Sequence, residues 1–298
     1  MIDVDSTIPN IALMKISQYH KTNGDIVGFN ITDPDKVYCS IIFRKNKHKA
    51  DGLRFIYPNA IIDIGGPGYD LNKRLPEEIE KQTPDYSLYP NNDRYLGFTT
   101  RGCIRSCSFC IVRKKEGSFR KIYDDVNSAL DNIMGSYKFN QIEFLDNNIL
   151  ADKNWFMKLC EEIIKRNMKV DFNQGLDIRL IDNSVAEMIG KLKPINTFKF
   201  AFDSMDYVDS VINGINILKN NGVDTRHKVF FYVYVNDDSQ YENAVKRCRI
   251  LKENGTTPYI MLNQETPHTK RMKNLKRWCR PWVFWSIDIN EYTRSNKA

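Results

Sequence analysis

Six short apolar runs, YLGFTT, QIEFL, KVDFN, TFKFAF, KVFFYVYV and PYIML, follow one another along this chain with a helical stretch after each. In those stretches apolar residues recur at three and four, as in Trp155, Phe156, Leu159 and Ile163 or Val208, Val211, Ile212 and Ile215. Such an alternation predicts parallel strands, because a parallel pair needs a long crossover and the helix supplies it. Residues 91–265 are therefore expected to be α/β, arranged as a partial (β/α)6 barrel. Barrels of this kind carry their chemistry at the C-terminal ends of the strands. Those ends read Thr99-Thr100, Asp146-Asn147-Asn148, Asn173-Gln174, Asp203-Ser204, Asn236-Asp237-Asp238 and Asn263-Gln264-Glu265. Taken singly, each is also an ordinary turn or helix-cap residue.

Residues 1–90 read as a smaller α/β unit, a doubly wound, Rossmann-like domain. MIDVD, VYCSIIF and AIIDIGGPG supply strands, the last ending in a glycine-rich loop, and Leu13, Ile16 and His20 sit at helical spacing before Gly24 stops the helix. TPDYSLYPNND is the expected linker. Residues 266–298 form a basic extension with Trp278, Trp282 and Trp285 among lysines and arginines, and Pro281 argues against one uninterrupted helix there. Those tryptophans either cap the open end of the barrel or stack nucleic-acid bases beside phosphate-binding cations. No run of eighteen apolar residues occurs, and the N-terminus lacks a basic start followed by an apolar run, so a cytoplasmic protein with no membrane segment is expected.

A reducing compartment bears on the stretch TTRGCIRSCSFCIVRKKEG, where three of the seven cysteines, Cys103, Cys107 and Cys110, fall within eight residues. Chance would give a cysteine partners at both spacings roughly 0.4% of the time. A disulfide would leave one thiol over. Structural zinc wants a fourth ligand, and the nearest downstream histidine is His227. Three thiolates on one loop suit a 4Fe-4S cluster with one open iron. The loop is basic, with seven cations from Arg101 to Lys121 against Glu116 alone, within a chain of net charge +7.

The pattern Cys103-x-x-x-Cys107-x-Phe109-Cys110, following a first barrel strand, resembles the signature of the radical SAM superfamily. The resemblance implies that the three cysteines hold a 4Fe-4S cluster, that S-adenosylmethionine chelates its fourth iron, and that reductive cleavage yields a 5′-deoxyadenosyl radical. It also places Asp146 and Asn147 near the methionine amino group, Asp203 and Ser204 near the ribose, and Phe109 beside the cluster. Arg179 becomes a candidate for the methionine carboxylate, or else pairs with Asp177 or Asp182. An electron donor such as flavodoxin or ferredoxin is implied, and the basic loop would steer an acidic one.

IDIGGPGYDLNKRLPEEIE and PDYSLYP are similar to the branch with an N-terminal cobalamin-binding-like domain. The Asp-x-His-x-x-Gly loop of such domains is missing and His20 and His48 are isolated, so the fold without B12 is expected. A base-off mode would use GGPG, which is otherwise a tight turn. Cys39, Cys160 and Cys248 lie in apolar segments, Cys279 is ambiguous, and no second cluster is expected. The expected activity is a radical SAM enzyme on an unknown substrate, nucleotide or nucleic acid ahead of others. The competing reading is a non-catalytic nucleic-acid-binding protein with a metal-stabilised loop.

Overall fold

The computed structural model describes residues 1–292, and the chain divides into two compact units, Met1–Asp146 and Asn147–Ala298. Both are mixed α/β with parallel pairing.

The first unit starts with β1 (Ile2–Asp3), α1 (Ile11–Thr22), β2 (Lys36–Ser40), α2 (Leu53–Ile56) and β3 (Ile61–Gly65). Its three strands are parallel in the order β1-β2-β3, with Ile2 beside Cys39 and Val37 beside Ile62. Strand order follows the chain, so these described strands show no reversal of winding. The Asn10 side chain caps α1 by accepting from the Leu13 N–H at 3.2 Å, and the chain leaves the helix through Gly24 at φ 89°. The strand expected over VYCSIIF ends at Ser40: the Ile41 N–H still donates to Gly65 O at 3.0 Å, but Asp5 then takes the Ile42 N–H at 2.7 Å and the Phe43 N–H at 3.0 Å.

α3 (Glu77–Glu80), β4 (Tyr95–Gly97), β5 (Thr100–Arg101), α4 (Val112–Lys115), β6 (Arg120–Lys121), α5 (Val126–Met134) and β7 (Gln141–Phe144) complete the unit. β4 and β7 are parallel, with Tyr95 beside Ile142. β5 and β6 form an antiparallel hairpin. The stretch expected as a linker is instead packed: Tyr86 and Leu88 are buried, and the Tyr86 hydroxyl donates to Ile133 O at 2.8 Å while accepting from the Leu96 N–H at 2.9 Å. Pro, Asn and Asp mark its turns, yet Tyr86 pays the entropy of ordering by burying against Tyr95, Tyr137 and Phe139.

The second unit contains α6 (Lys153–Lys165), β8 (Lys169–Phe172), α7 (Asn183–Lys191), β9 (Lys193–Pro194), β10 (Phe198–Ala201), α8 (Val208–Asn220), β11 (Val229–Val235), α9 (Tyr241–Glu253), β12 (Thr257–Leu262), α10 (Lys270–Trp278) and α11 (Pro281–Ser286). β10, β11 and β12 form a parallel sheet in that order, with Phe200 beside Phe231 and Tyr232 beside Tyr259. Asp152 and Asp182 start α6 and α7 by accepting from Trp155 N–H at 2.9 Å and Val185 N–H at 3.0 Å. Phe200, Phe231, Val233 and Ile260 are buried on one sheet face, whereas Phe230, Tyr232 and Tyr259 lie on the other and touch at their rings. Pro281 does begin a new helix, three residues after α10 ends. No described helix is long and apolar enough to cross a membrane.

Candidate functional site

The cysteines sit on the loop that the β5–β6 hairpin closes. Thr100 pairs with Lys121 and Arg101 with Arg120, and the intervening chain carries Cys103, Cys107, Phe109 and Cys110. Gly102 fixes the loop's base: its φ is 78°, and a Cβ there would lie 2.2 Å from Ser118 O, so only glycine permits this approach. The Cys110 N–H donates to Cys107 O at 3.0 Å, making a turn that carries two of the thiols. Arg113 braces the loop by donating to Cys103 O at 3.1 Å and Ser118 Oγ at 2.8 Å. Cys103 and Cys107 are half-buried, while Cys110 and Phe109 are exposed.

None of the cysteines is in a disulfide. Among the described residues, no three His, Cys, Asp or Glu side chains converge as metal ligands, so the three sulfurs share a loop without being drawn to one point. The chemistry of the donor set nevertheless fits an iron–sulfur cluster: three thiols, within eight residues, at an accessible surface. Part of the basic run is spent locally. The Arg101 guanidinium lies 3.5 Å from the Phe98 ring centroid and pairs with Glu80 at 2.8 Å and Glu116 at 3.7 Å. Lys115 donates to Lys73 O at 3.0 Å and its carbonyl takes the Arg74 guanidinium, while burial lowers its pKa. Arg113, Lys114, Arg120 and Lys121 remain exposed.

Asp146, just beyond β7, is buried and does not face open space. One carboxylate oxygen accepts Thr99 Oγ1–H at 2.7 Å, Thr100 Oγ1–H at 2.6 Å and Thr100 N–H at 2.5 Å, and both oxygens lie 3.1 Å from the Thr99 N–H. Burial raises its pKa against the pull of these donors. The residue thus holds the turn that launches the cysteine loop. Its partners, the two threonines before the cluster, were legible only as strand-end residues.

In the second unit Arg179 and Asp203 come together around Tyr207. The Arg179 guanidinium lies 4.5 Å from the Tyr207 ring centroid, and the Tyr207 hydroxyl accepts from the Asp203 N–H at 2.6 Å. Arg179 is already bidentate to Asp177, at 2.7 and 3.1 Å, the local pairing that the sequence offered as an alternative. Asp203 accepts from the Tyr234 N–H at 2.8 Å, and burial raises its pKa against that bond and the nearby Arg247 and Arg179 charges. Ser204 caps its own turn, donating to Asp206 at 2.6 Å, and Asn147 is half-buried at the unit's start.

Two groups here escaped sequence reading. Arg247, 2% exposed, donates to Phe202 O at 2.7 Å, Tyr234 O at 3.0 Å and Asn243 at 3.0 Å, stapling the ends of β10 and β11. The available signal was an arginine on the buried stripe Ala244, Cys248 and Leu251. Lys199 and Asp171 form a mostly buried ion pair across β10 and β8, with one contact of 2.6 Å.

The remaining candidates are locally occupied. Both His20 ring nitrogens are engaged, by Asp25 at 2.6 Å and Tyr38 at 2.8 Å, and His48 contacts Lys45 O at 2.9 Å. GGPG packs on its own unit's backbone, where a Cβ on Gly66 would lie 2.3 Å from Ile41 O and one on Gly68 2.7 Å from the Phe43 carbonyl carbon. Cys248 and Cys279 are buried with their sulfurs 3.7 Å apart, and burial pushes the Cys279 thiol up. No protein-family model matches the chain, and no curated protein matches it.

Proposed function

We propose that the chain is a radical SAM enzyme, with Cys103, Cys107 and Cys110 holding a 4Fe-4S cluster and S-adenosylmethionine as its partner cofactor. The observation that carries this reading is the placement of three thiols and Phe109 on one hairpin-closed loop directly after strand β4. The reading takes β4, β7, β8, β10, β11 and β12 as the staves of a partial (β/α)6 barrel, and residues 1–90 as a cobalamin-binding-like domain without B12. Bound there, the two cofactors supply one-electron cleavage of the sulfonium C–S bond.

The chain's own residues hold and orient. Asp146 fixes the β4–β5 turn and Gly102 the loop base, so the cysteines start from an ordered frame. Asp203, steadied by the Tyr234 N–H, would meet ribose hydroxyls together with Ser204, and Asn147 would lie with Asp146 near the methionine amino group in the reading. Arg179 would hold the methionine carboxylate in place of Asp177, since a guanidinium suits either carboxylate. The exposed Arg113, Lys114, Arg120 and Lys121 suit an acidic flavodoxin or ferredoxin in the cytoplasm.

The test is anaerobic reconstitution followed by S-adenosylmethionine and dithionite. Wild-type protein is expected to show an absorbance shoulder near about 400 nm, from thiolate-ligated iron, and to release 5′-deoxyadenosine. Cys107→Ala is expected to do neither. A fully iron-loaded wild type that yields no 5′-deoxyadenosine removes the proposal.

A further inference from the structure

The second unit contains a cavity of about 950 Å³, lined by the first residues of β11 and β12 together with α10 and α11. Arg226, Lys273, Lys276, Arg277 and Arg280 line it, and among the described residues no carboxylate does. Some exposed lysines of this unit are offset by acids, as Lys153 is by Asp182 and Lys191 by Glu187 at 2.7 Å, whereas none of these five cations is in an ion pair with a described residue. Five cations around a concavity, with Asp224 the described carboxylate beside its wall through His227 at 3.0 Å, make a net positive field that an anion offsets.

Aromatic rings share the same walls. Trp285 is fixed, its indole N–H donating to Thr257 Oγ1 at 3.1 Å and its ring centroid 4.2 Å from the Arg226 guanidinium. Trp282 is 73% exposed and Tyr259 50% exposed. Trp278, by contrast, is fully buried and its N–H donates to Ile287 O at 2.9 Å. The three tryptophans therefore divide into a core anchor, a braced wall and an open face.

Rings and cations together discriminate among anionic partners. A bilayer surface would need an apolar helix face, but α10 turns Met272, Leu275 and Trp278 into the protein core. An acidic peptide would satisfy the charges and leave flat rings without a stacking partner. A duplex keeps its bases stacked inside. An unpaired strand brings phosphates and open base faces at once. On the same walls the Thr197 hydroxyl, the Ser286 hydroxyl, which donates to Trp282 O at 2.6 Å and can still accept, and the His227 imidazole, whose Nδ1 meets Asp224 at 3.0 Å, suit a ribose 2′-hydroxyl.

We propose that this cavity binds an unpaired segment of RNA, with phosphates on Lys273, Lys276 and Arg280 and bases stacked on Trp282 and Tyr259. As a ligand, the RNA is argued from these walls alone; as the substrate of the radical chemistry, it rests on the function proposed above.

Fluorescence anisotropy of the full chain with a labelled, unstructured RNA of twelve nucleotides tests this, alongside the same sequence as single-stranded DNA and as RNA duplex. Binding to the single-stranded RNA is expected to be tightest and to weaken with salt, by a log–log slope of roughly −0.7 for each phosphate contacted. Trp282→Ala is expected to weaken binding about tenfold without altering the salt slope. The pair Lys273→Glu and Lys276→Glu is expected to weaken it further and flatten the slope, with unchanged thermal melting for both variants. Equal binding by the variants, by the duplex or by the DNA overturns the proposal, as does no binding at low salt. A variant with all three loop cysteines as alanine is expected to bind RNA as wild type does. Loss of 5′-deoxyadenosine formation and loss of RNA binding are thus separate results.

Discussion

Asp146 in the first unit and Arg247 in the second do the same job with opposite charge. Each sits where parallel strands end and their backbone groups run out of ladder partners. Asp146 gathers donors, two N–H and two O–H from Thr99 and Thr100, whereas Arg247 supplies donors to the carbonyls of Phe202 and Tyr234. Burial disfavours the charged form of both, raising the pKa of the acid and lowering that of the base. The comparison teaches that a buried charged group reaching the C-terminal ends of strands, from a strand end at Asp146 or from α9 at Arg247, is first a solution to backbone bonding. Chemistry has to be argued from what it leaves over.

Two substitutions break the comparison from either side. Asp146→Ala leaves four buried donors without their acceptor and is expected to cost about 4 kcal/mol in chemical denaturation, at about 1 kcal/mol for each bond lost. Asp146→Asn is expected to recover much of this, since all four donors reach one carboxylate oxygen that the amide carbonyl can replace, and the amide N–H group would meet only the Thr99 N–H. A loss of 5′-deoxyadenosine formation with stability nearly intact would instead make Asp146 a ligand contact. Arg247→Met keeps the apolar stem and abandons two carbonyls, with an expected cost of about 3 kcal/mol, partly restored by Arg247→Lys. A neutral or stabilising Arg247→Met would show that water serves these carbonyls equally well.

The alternation of apolar runs and helices was legible because strand and helix bury different periods, and each of the six runs does contain a strand. What tied their ends was not. Asp146 meets Thr99 and Thr100 only because β4 and β7 pair with Gly97 beside Phe144, a register between segments 47 residues apart. TPDYSLYPNND misled because turn residues dominate its composition, though the buried Tyr86 and Leu88 fix its packing. The cysteine spacing displayed the candidate donor set directly, while the brace around it, from Gly102 to Arg113, depends on the return of the chain through β6. Composition also treated the three tryptophans alike, and only their positions on two helices separate Trp278 from Trp282.

The comparison sharpens, with the smallest effect, at Asp85, a carboxylate whose partners include a cation. It accepts from Ser17 at 2.6 Å and Ser87 at 2.6 Å and pairs with Lys21 at 2.8 Å. Burial pushes its pKa up, but the bonds from Lys21, Ser17 and Ser87 outweigh burial and hold it at about 2. A carboxylate depressed below its unfolded value contributes stability that is fully present above the unfolded pKa and is lost as pH falls through the folded one. Folding free energy is therefore expected to fall by about 1–2 kcal/mol between about pH 4 and pH 2, screening by solvent included. Asp85→Asn removes this ionisation and is expected to lessen the fall by that amount, while Asp182, also held at about 2, keeps its own share. Asp146, raised rather than lowered, acts with the opposite sign: it binds a proton more readily folded than unfolded, so its ionisation lowers stability as pH rises past the unfolded value. A wild-type profile that stays level from about pH 4 to pH 2, in the Asp85→Asn variant as in the parent, would mean that the cation at Asp85 confers no advantage over neutral donors.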